Sequence, residues 1–499
     1  MNKGSLHRNA LANVLQMLVG AGLMFVLYRY INATLGIALF GVWSVVLATA
    51  SASRLANMGV GAGMTRFVAK YLALEDGRTA ASMVETAAVT LSVVLGVVLP
   101  LLYFPLKLIL AHVFSGQYLD EAQMLLPYAL ASLWLGDVAG VFESGFEGLQ
   151  RMDLRAGILV TGQALRLGLA IWLIPAYGLI GLAEAQVAQG VFQFLTGWIV
   201  LRRLLPQLGR LPLRWSRRAF RELIGYGANL QLATLFMMLM DPVAKAFMAK
   251  FGGASAAGYF EMANQLVLKV RALIVTANQA IVPKVAALAE IDPSRLVSLY
   301  RENMRVLVFV TLPITALLVV WAGGFSWLLT GEYHLQLVHL IELFAVAWGF
   351  NIFTGPAYFI NMGTGDIRWN TLSHMLMGVL NVALCWLLGI RFGLAGVAFS
   401  YAIALVVPSA TLMIIFAKTN KIKWAHNYRG TDLILFFSFI VITSFGFIAY
   451  TEFDFWNPVV ASLIFALPLV LLGTAMWIHP LGRSLRSALF AEAGWSSQK

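Results

Sequence analysis

One cysteine, Cys385, stands among 499 residues. It excludes an internal disulfide and a cysteine-built metal cluster. Charge is scarce too, with Asp, Glu, Lys and Arg making up 12% of the chain, where soluble domains carry about a quarter. The chain has no Gly-x-x-x-x-Gly-Lys-Ser/Thr phosphate loop, no Gly-x-Ser-x-Gly elbow and no His-Glu-x-x-His helix. The corresponding ATPase, hydrolase and zinc-protease chemistries therefore have no footing. His334 and His339 are five apart, among only seven histidines, which supports no zinc site. Between apolar runs no segment exceeds about 24 residues, too short for a soluble domain. The expectation is a protein with no cofactor, no metal and no catalytic residue.

What remains is apolar. Hydrophobic residues are 60% of the chain, and the mean hydropathy is +0.80. A helix crosses the hydrocarbon core with ~20 apolar residues, and runs of that length recur along the chain. They predict an all-α polytopic membrane protein with about 14 transmembrane helices, near 9–31, 35–58, 83–111, 122–146, 156–175, 178–201, 223–249, 258–282, 304–328, 337–361, 370–390, 395–417, 433–450 and 459–478. The first run follows Lys3 and Arg8 like a signal peptide, but it is long and leads straight into a second span, so a retained helix is expected.

The net charge of +12 could suggest nucleic acid, but its distribution argues against that. With an even number of spans both termini share one side, and loops there hold roughly 26 basic residues against 4 opposite (Arg29, Lys107, Lys250 and Arg391). That bias places both termini in the cytoplasm, in a multi-pass protein of the cytoplasmic (inner) membrane. The cluster from Arg202 to Arg221 is expected to orient the chain and to meet anionic lipid head groups.

The same cluster divides the first twelve spans into matching sixes. Tyr177-Gly-Leu-Ile-Gly opens the sixth span and Phe392-Gly-Leu-Ala-Gly the twelfth. Asn13 and Gln16 of the first span match Asn229 and Gln231 of the seventh, and Arg66-Phe-Val-Ala-Lys matches Pro283-Lys-Val-Ala-Ala. The predicted organisation is a six-helix bundle over 1–201, an Arg-rich cytoplasmic linker over 202–222, a second bundle over 223–417, and an added helix pair with a cytoplasmic tail over 418–499. The bundles would be parallel repeats, whose interface is where transporters place their site. The added spans contain no Asn, Gln, Lys, Arg, Asp or Glu.

Polar residues recur at helical spacing inside the apolar runs, so each set shares one face. The sets are Asn9, Asn13, Gln16 and Gly20; Gln186, Gln189, Gln193 and Thr196; Gln231, Thr234, Asp241 and Lys245; Asn264, Arg271 and Asn278; Asn351, Thr354, Tyr358 and Asn361; Asn370, His374 and Asn381. Either they hydrogen-bond helix to helix, or they line one shared hydrated cavity, the reading preferred for six stripes. A basic residue at a helix centre costs ~2.5–3.5 kcal/mol on the insertion scale, so Arg166 and Arg271 need water, a counter-charge or a ligand. The expected cavity residues are Arg271, Arg166, Arg54, Asn13, Gln16, Asn264, Asn278, Asn351 and Asn381. Asp241 and Lys245, one turn apart, either pair with each other or couple an ion, as could Asp137. Glu85, Glu143, Glu184, Glu261 and Glu342 fall near span ends.

Several of these segments together resemble a known family. They are Asn9-x-x-x-Asn13, Thr65-Arg-Phe-Val-Ala-Lys-Tyr, Gly148-Leu-Gln-Arg-Met-Asp, Tyr177-Gly-Leu-Ile-Gly, and Asp241 followed by Gly258-Tyr-Phe-Glu-Met-Ala. The chain resembles the polysaccharide biosynthesis proteins of the Wzx-type flippase group, in the superfamily that includes the multidrug (MATE) exporters and the lipid II flippase. The resemblance implies translocation of an oligosaccharide on polyprenyl pyrophosphate by alternating access. It also implies membrane lipids as surroundings, a polysaccharide polymerase and glycosyltransferases as partners, and no role for nucleic acid. An anionic pyrophosphate suits arginines, and carboxamides suit sugar hydroxyls. Two other readings stand beside it. A drug/cation antiporter on the same scaffold would need an acidic cavity, and a membrane polymerase or transferase would need clustered acids or a large outer loop.

Overall fold

The computed structural model of the chain describes residues 3–51, 63–279, 281–422, 430–452, 468 and 470–482, with side chains described except at 3–11, 226–235, 237 and 449–452. Arg54, the side chains of Asn9, Asn229 and Gln231, and half of the expected last span therefore lie outside the described residues. Every regular element among the described residues is a helix, from α1 (Lys3–Ser51) to α14 (Gly430–Glu452). Nine stretches among them are long and apolar enough to cross a membrane. The protein is an all-α, multi-pass membrane protein.

Single stretches run longer than one crossing because glycines join spans without a loop. α5 (Met152–Leu204) has 53 residues, which would be ~80 Å as one straight helix. Gly178 breaks it at φ 58°, ψ −132°. α13 (Arg368–Thr419) breaks the same way at Gly393, φ 56°, ψ −134°. These are the two Gly-Leu-x-Gly turns, and their first glycines take a positive φ that a Cβ would resist. Their second glycines serve a common purpose. A Cβ on Gly181 would come within 2.6 Å of the Leu173 backbone, and one on Gly396 within 2.5 Å of the Leu388 backbone.

A second pair of breaks matches as closely. Gly36 divides α1 at φ 82°, ψ 162°, and Gly253 ends α6 (Arg217–Gly252) at φ 84°, ψ 169°. The short helices α2 (Met64–Ala73) and α8 (Val282–Ile291) each have 10 residues. They carry the matching Val-Ala segments at Val68 and Val285. α3 starts at Gly77 and α9 at Arg295, α4 at Gln117 and α11 at Leu335. A constant shift of about 217 residues relates the two series, the mark of an internal duplication.

The chain packs as two compact units. Unit 1 comprises 1–261 and 385–397, and unit 2 comprises 262–384 and 398–499. In unit 1, α4 (Gln117–Gly148) packs on α1, α3 (Gly77–Val113) and α5. One cluster of its core joins Phe67 and Val68 of α2, Val84 and Leu91 of α3, Phe142 and Phe146 of α4, and Trp198 and Leu201 of α5.

The Arg-rich segment lies within unit 1 and is tied down. Gly209 N donates to Glu85 Oε1 at 2.6 Å, Ser216 N to Thr86 Oγ1 at 3.1 Å and Trp215 Nε1 to Thr90 Oγ1 at 3.3 Å. Glu85 is thus a buried strut for this segment. Arg202, Arg203, Arg210, Arg214, Arg217, Arg218 and Arg221 remain exposed, beside exposed Leu211, Leu213 and Trp215. At the start of α6, Glu222 accepts from Tyr71 Oη at 2.8 Å and Lys70 Nζ at 3.1 Å. Burial works to raise the Glu222 carboxyl, but these hydrogen bonds outweigh it and hold the group below its ordinary range.

In unit 2, α9 (Arg295–Val320) packs on α11 (Leu335–Ile352) and α14. A core cluster includes Tyr300, Leu307, Val308 and Leu312 of α9, Ile352, Ile360 and Phe416.

Candidate functional site

Each unit places a guanidinium among polar and aromatic side chains. In unit 2, Arg271 of α7 (Ala254–Gln279) donates from Nε and Nη2 to the single oxygen Oδ1 of Asn351, at 3.3 and 3.0 Å. The other end of that carboxamide is fixed, because Asn351 Nδ2 donates to Ser409 Oγ at 2.8 Å. The guanidinium lies 4.5 Å from the ring centroid of Trp348, within cation–π range. Trp348 is held in turn, its Nε1 donating to Asn264 Oδ1 at 3.2 Å, which also accepts from Tyr401 Oη at 3.1 Å. Trp348 and Asn351 stand three apart on α11, and Asn264 and Arg271 seven apart on α7, so two helix faces meet here.

Arg271 is half-buried. Among the described residues its polar partner is the neutral Asn351, and no carboxylate lies within ion-pair distance. The fork uses two of the five guanidinium N–H donors, and the positive charge stays available to an anion.

Unit 1 gathers five ionisable groups from four helices. Lys245 of α6 pairs with Glu261 of α7, both buried. Glu261 Oε1 also accepts from Tyr28 Oη of α1 at 3.2 Å. Arg166 of α5 lies within electrostatic reach of Tyr28, and Asp241 within that of Lys245. The partner of Lys245 is thus Glu261, carried on the next helix, alongside the Asp241 expected from the one-turn spacing. Among the buried polar atoms of this unit that lack a hydrogen-bond partner are Arg166 Nε, Gln163 Oε1 and Asn13 Oδ1. Gln163 presses against α1 at Gly20, where a Cβ would come within 2.8 Å of its Oε1.

The other expected residues are scattered. Gln16 and Asp137 are half-buried in α1 and α4 of unit 1. In unit 2, Asn278 is buried and accepts from Asn303 Nδ2 at 2.6 Å, while Asn381 is fully buried. Arg271, Asn351 and Asn264 come together through Trp348, and Asn278 makes a separate contact. A cavity of about 480 Å³ in unit 1, between α3 and α4, is lined by Leu95, Leu99, Tyr103, Pro127, Leu130 and Trp134 among others and holds none of the expected residues.

Sequence reasoning missed Tyr28, Gln163, Trp348, Tyr401 and Ser409, and set Glu261 aside as a span-end residue. Trp348 had a readable signal, since it sits one turn before Asn351. Tyr28 and Tyr401 gave none, because tyrosine is common in membrane helices.

The family model described as polysaccharide biosynthesis protein matches residues 35–339. No curated protein matches the chain. Among solved structures, the lipid II flippase MurJ in an inward closed conformation is similar with a TM-score of 0.70 and 14% identity, covering 94% of this chain and 98% of that one. An inward-facing multidrug resistance MATE family transporter of the MOP superfamily follows at 0.64 and 16%, covering 81% and 94%. A MOP superfamily transporter from Pyrococcus furiosus, described as having a binding pocket of reverse polarity, gives 0.57 and 15%, covering 83% and 95%. At these identities the likeness shows a shared fold.

Proposed function

Because the chain belongs to the polysaccharide biosynthesis protein family, we propose that it moves an oligosaccharide linked to polyprenyl pyrophosphate from the cytoplasmic to the outer leaflet of the cytoplasmic membrane. The observation that carries this reading is the state of Arg271, a guanidinium in a membrane helix held by a carboxamide and an indole rather than by a carboxylate. A positive charge so placed suits an anionic head group, which would form charge-assisted hydrogen bonds with the remaining donors.

Arg166 plays the corresponding part in unit 1, where the orphaned atoms of Arg166, Gln163 and Asn13 call for a polar occupant, since buried polar groups are normally satisfied. Arg54 belongs with them on sequence grounds, because the shift of about 217 residues puts it where the second repeat has Arg271. Asn264, Asn278, Asn381 and Gln16 supply carboxamides for sugar hydroxyls. Asp241, Asp137 and Lys245 are the residues proposed for ion coupling. The repeats, at 1–201 and 223–417, would rock in alternating access, with both termini in the cytoplasm and a polymerase and glycosyltransferases as partners.

A drug/cation antiporter would need an acidic substrate cavity. In unit 1 Lys245 already neutralises Glu261, which favours the anionic substrate. In a strain lacking the gene, the intact chain should restore surface polysaccharide, and Arg271→Ala should not, at equal membrane abundance. Full restoration by the variant would refute the assignment.

A further inference from the structure

A buried carboxylate of unit 2, Glu342, lies outside both arginine clusters. Glu342 is on α11, seven residues from its start and so ~10 Å along the helix. It is 4% exposed. One of its oxygens, Oε2, meets His339 Nδ1 at 3.0 Å. The other, Oε1, is buried with no hydrogen-bond partner. A buried carboxylate half-satisfied in this way costs free energy, and taking up a proton removes the charge that makes it costly. His339 differs from Glu342 in access, since its side chain is 35% exposed, and its ring lies against Phe447 of α14 at 5.4 Å.

The surroundings contain little other charge. The turn before α11 carries Glu332, Tyr333 and His334, with His334 Nε2 3.8 Å from Glu332 Oε2. The Tyr333 phenol is pushed up to about 12, by burial first and by the Glu342 charge second. α10 (Ala322–Thr330), which packs on α11, has no titratable residue. α9 carries Arg295, Arg301, Glu302 and Arg305 in its first three turns, and the chain returns from its far end to α11. α14 has no titratable residue between Asp432 and Tyr450. Among the described residues no basic side chain is within ion-pair distance of Glu342 apart from the imidazole.

We propose that Glu342 is a proton-binding site, with His339 as its outlet to water, on the membrane side opposite the basic loops. A proton taken up at Nε2 of the exposed imidazole lets the Nδ1 proton pass to Glu342 Oε2, leaving Glu342 neutral and His339 neutral in its other tautomer, and the reverse transfer resets both. On the transport reading given above, this site couples the flipping cycle to the proton gradient. The arginine clusters then need only bind the anionic head group.

The purified full-length protein in lipid vesicles, without substrate, tests the binding step by infrared titration of carboxylic acid bands. The wild type should show a buried carboxyl band that titrates with pH. Glu342→Gln should lose that band, and His339→Gln should shift its midpoint. An identical titration in Glu342→Gln, or a wild type without the band, overturns the proposal. Coupling is read separately, as translocation of lipid-linked oligosaccharide with and without an imposed pH gradient. Glu342→Gln should keep translocation and lose its gradient dependence, and an unchanged dependence would refute coupling. A wild type that titrates but moves no oligosaccharide would defeat the flippase reading and leave the proton site standing.

Discussion

Arg271 and Asn351 meet through one oxygen, with two guanidinium N–H groups converging on Oδ1 at 3.3 and 3.0 Å. A neutral partner orients the arginine without cancelling its charge, and the Trp348 face holds it from the side. Hydrogen bonds to a charged group contribute ~1.5–3 kcal/mol, so losing one to the substrate weakens binding about tenfold or more. Arg271→Lys keeps the charge but cannot fork. It should weaken translocation less than Arg271→Ala, as measured by surface polysaccharide at matched expression.

The Lys245–Glu261 pair predicts a non-additive stability pattern. Removing one member of a buried pair leaves an uncompensated charge and costs ~3–5 kcal/mol. Lys245→Met should therefore lower the unfolding midpoint in detergent sharply. Adding Glu261→Gln should recover much of the loss. Equal destabilisation by both variants would show that the pair is not energetically coupled.

Gly41 and Gly258 predict a steric result. A Cβ on Gly41 would come within 2.9 Å of Gly258 N, and one on Gly258 within 2.6 Å of Ile37 O. The contact is reciprocal, since Gly41 follows the Gly36 break by five residues and Gly258 follows Gly253 by five. Gly41→Ala should reduce stability and activity together. Gly136→Ala, where nothing lies within 4 Å of the added carbon, should be neutral in the same thermal-unfolding assay.

Glu222 gives a pH dependence. Its carboxyl is held below the ordinary value by Tyr71 and Lys70 against the opposing effect of burial. The stability it adds is therefore fully present above the unfolded value of about 4.3 and is lost as pH falls through the lower folded value. Thermal unfolding of Glu222→Gln should lack this acid-side component. The wild type should show it.

The sequence made the fold legible where glycine and hydropathy act locally. The Gly-Leu-x-Gly segments marked turns because positive φ at Gly178 and Gly393 leaves few substitutes. Long apolar runs marked spans for the same local reason. The short helices α2 and α8 stayed hidden, since ten residues are too few to stand out as a membrane-crossing run. At the site, helical spacing identified Asn264, Arg271 and Asn351 as members of polar faces. It could not reveal that Trp348 joins them, or that Glu261 of the next helix pairs with Lys245 alongside Asp241, because those are contacts between helices. The duplication is imperfect where the charges sit: at the shift of about 217 residues, Lys245 occupies the place that Tyr28 has in the first repeat.

The most direct measurement is translocation of a purified polyprenyl-pyrophosphate oligosaccharide by the protein reconstituted in vesicles, scored by access of an added glycosidase to the sugar. The wild type should expose sugar faster than empty vesicles, and Arg271→Ala and Arg166→Ala should fall to the empty-vesicle rate while remaining folded. A wild type no faster than empty vesicles, or arginine variants as fast as the wild type, would contradict the account.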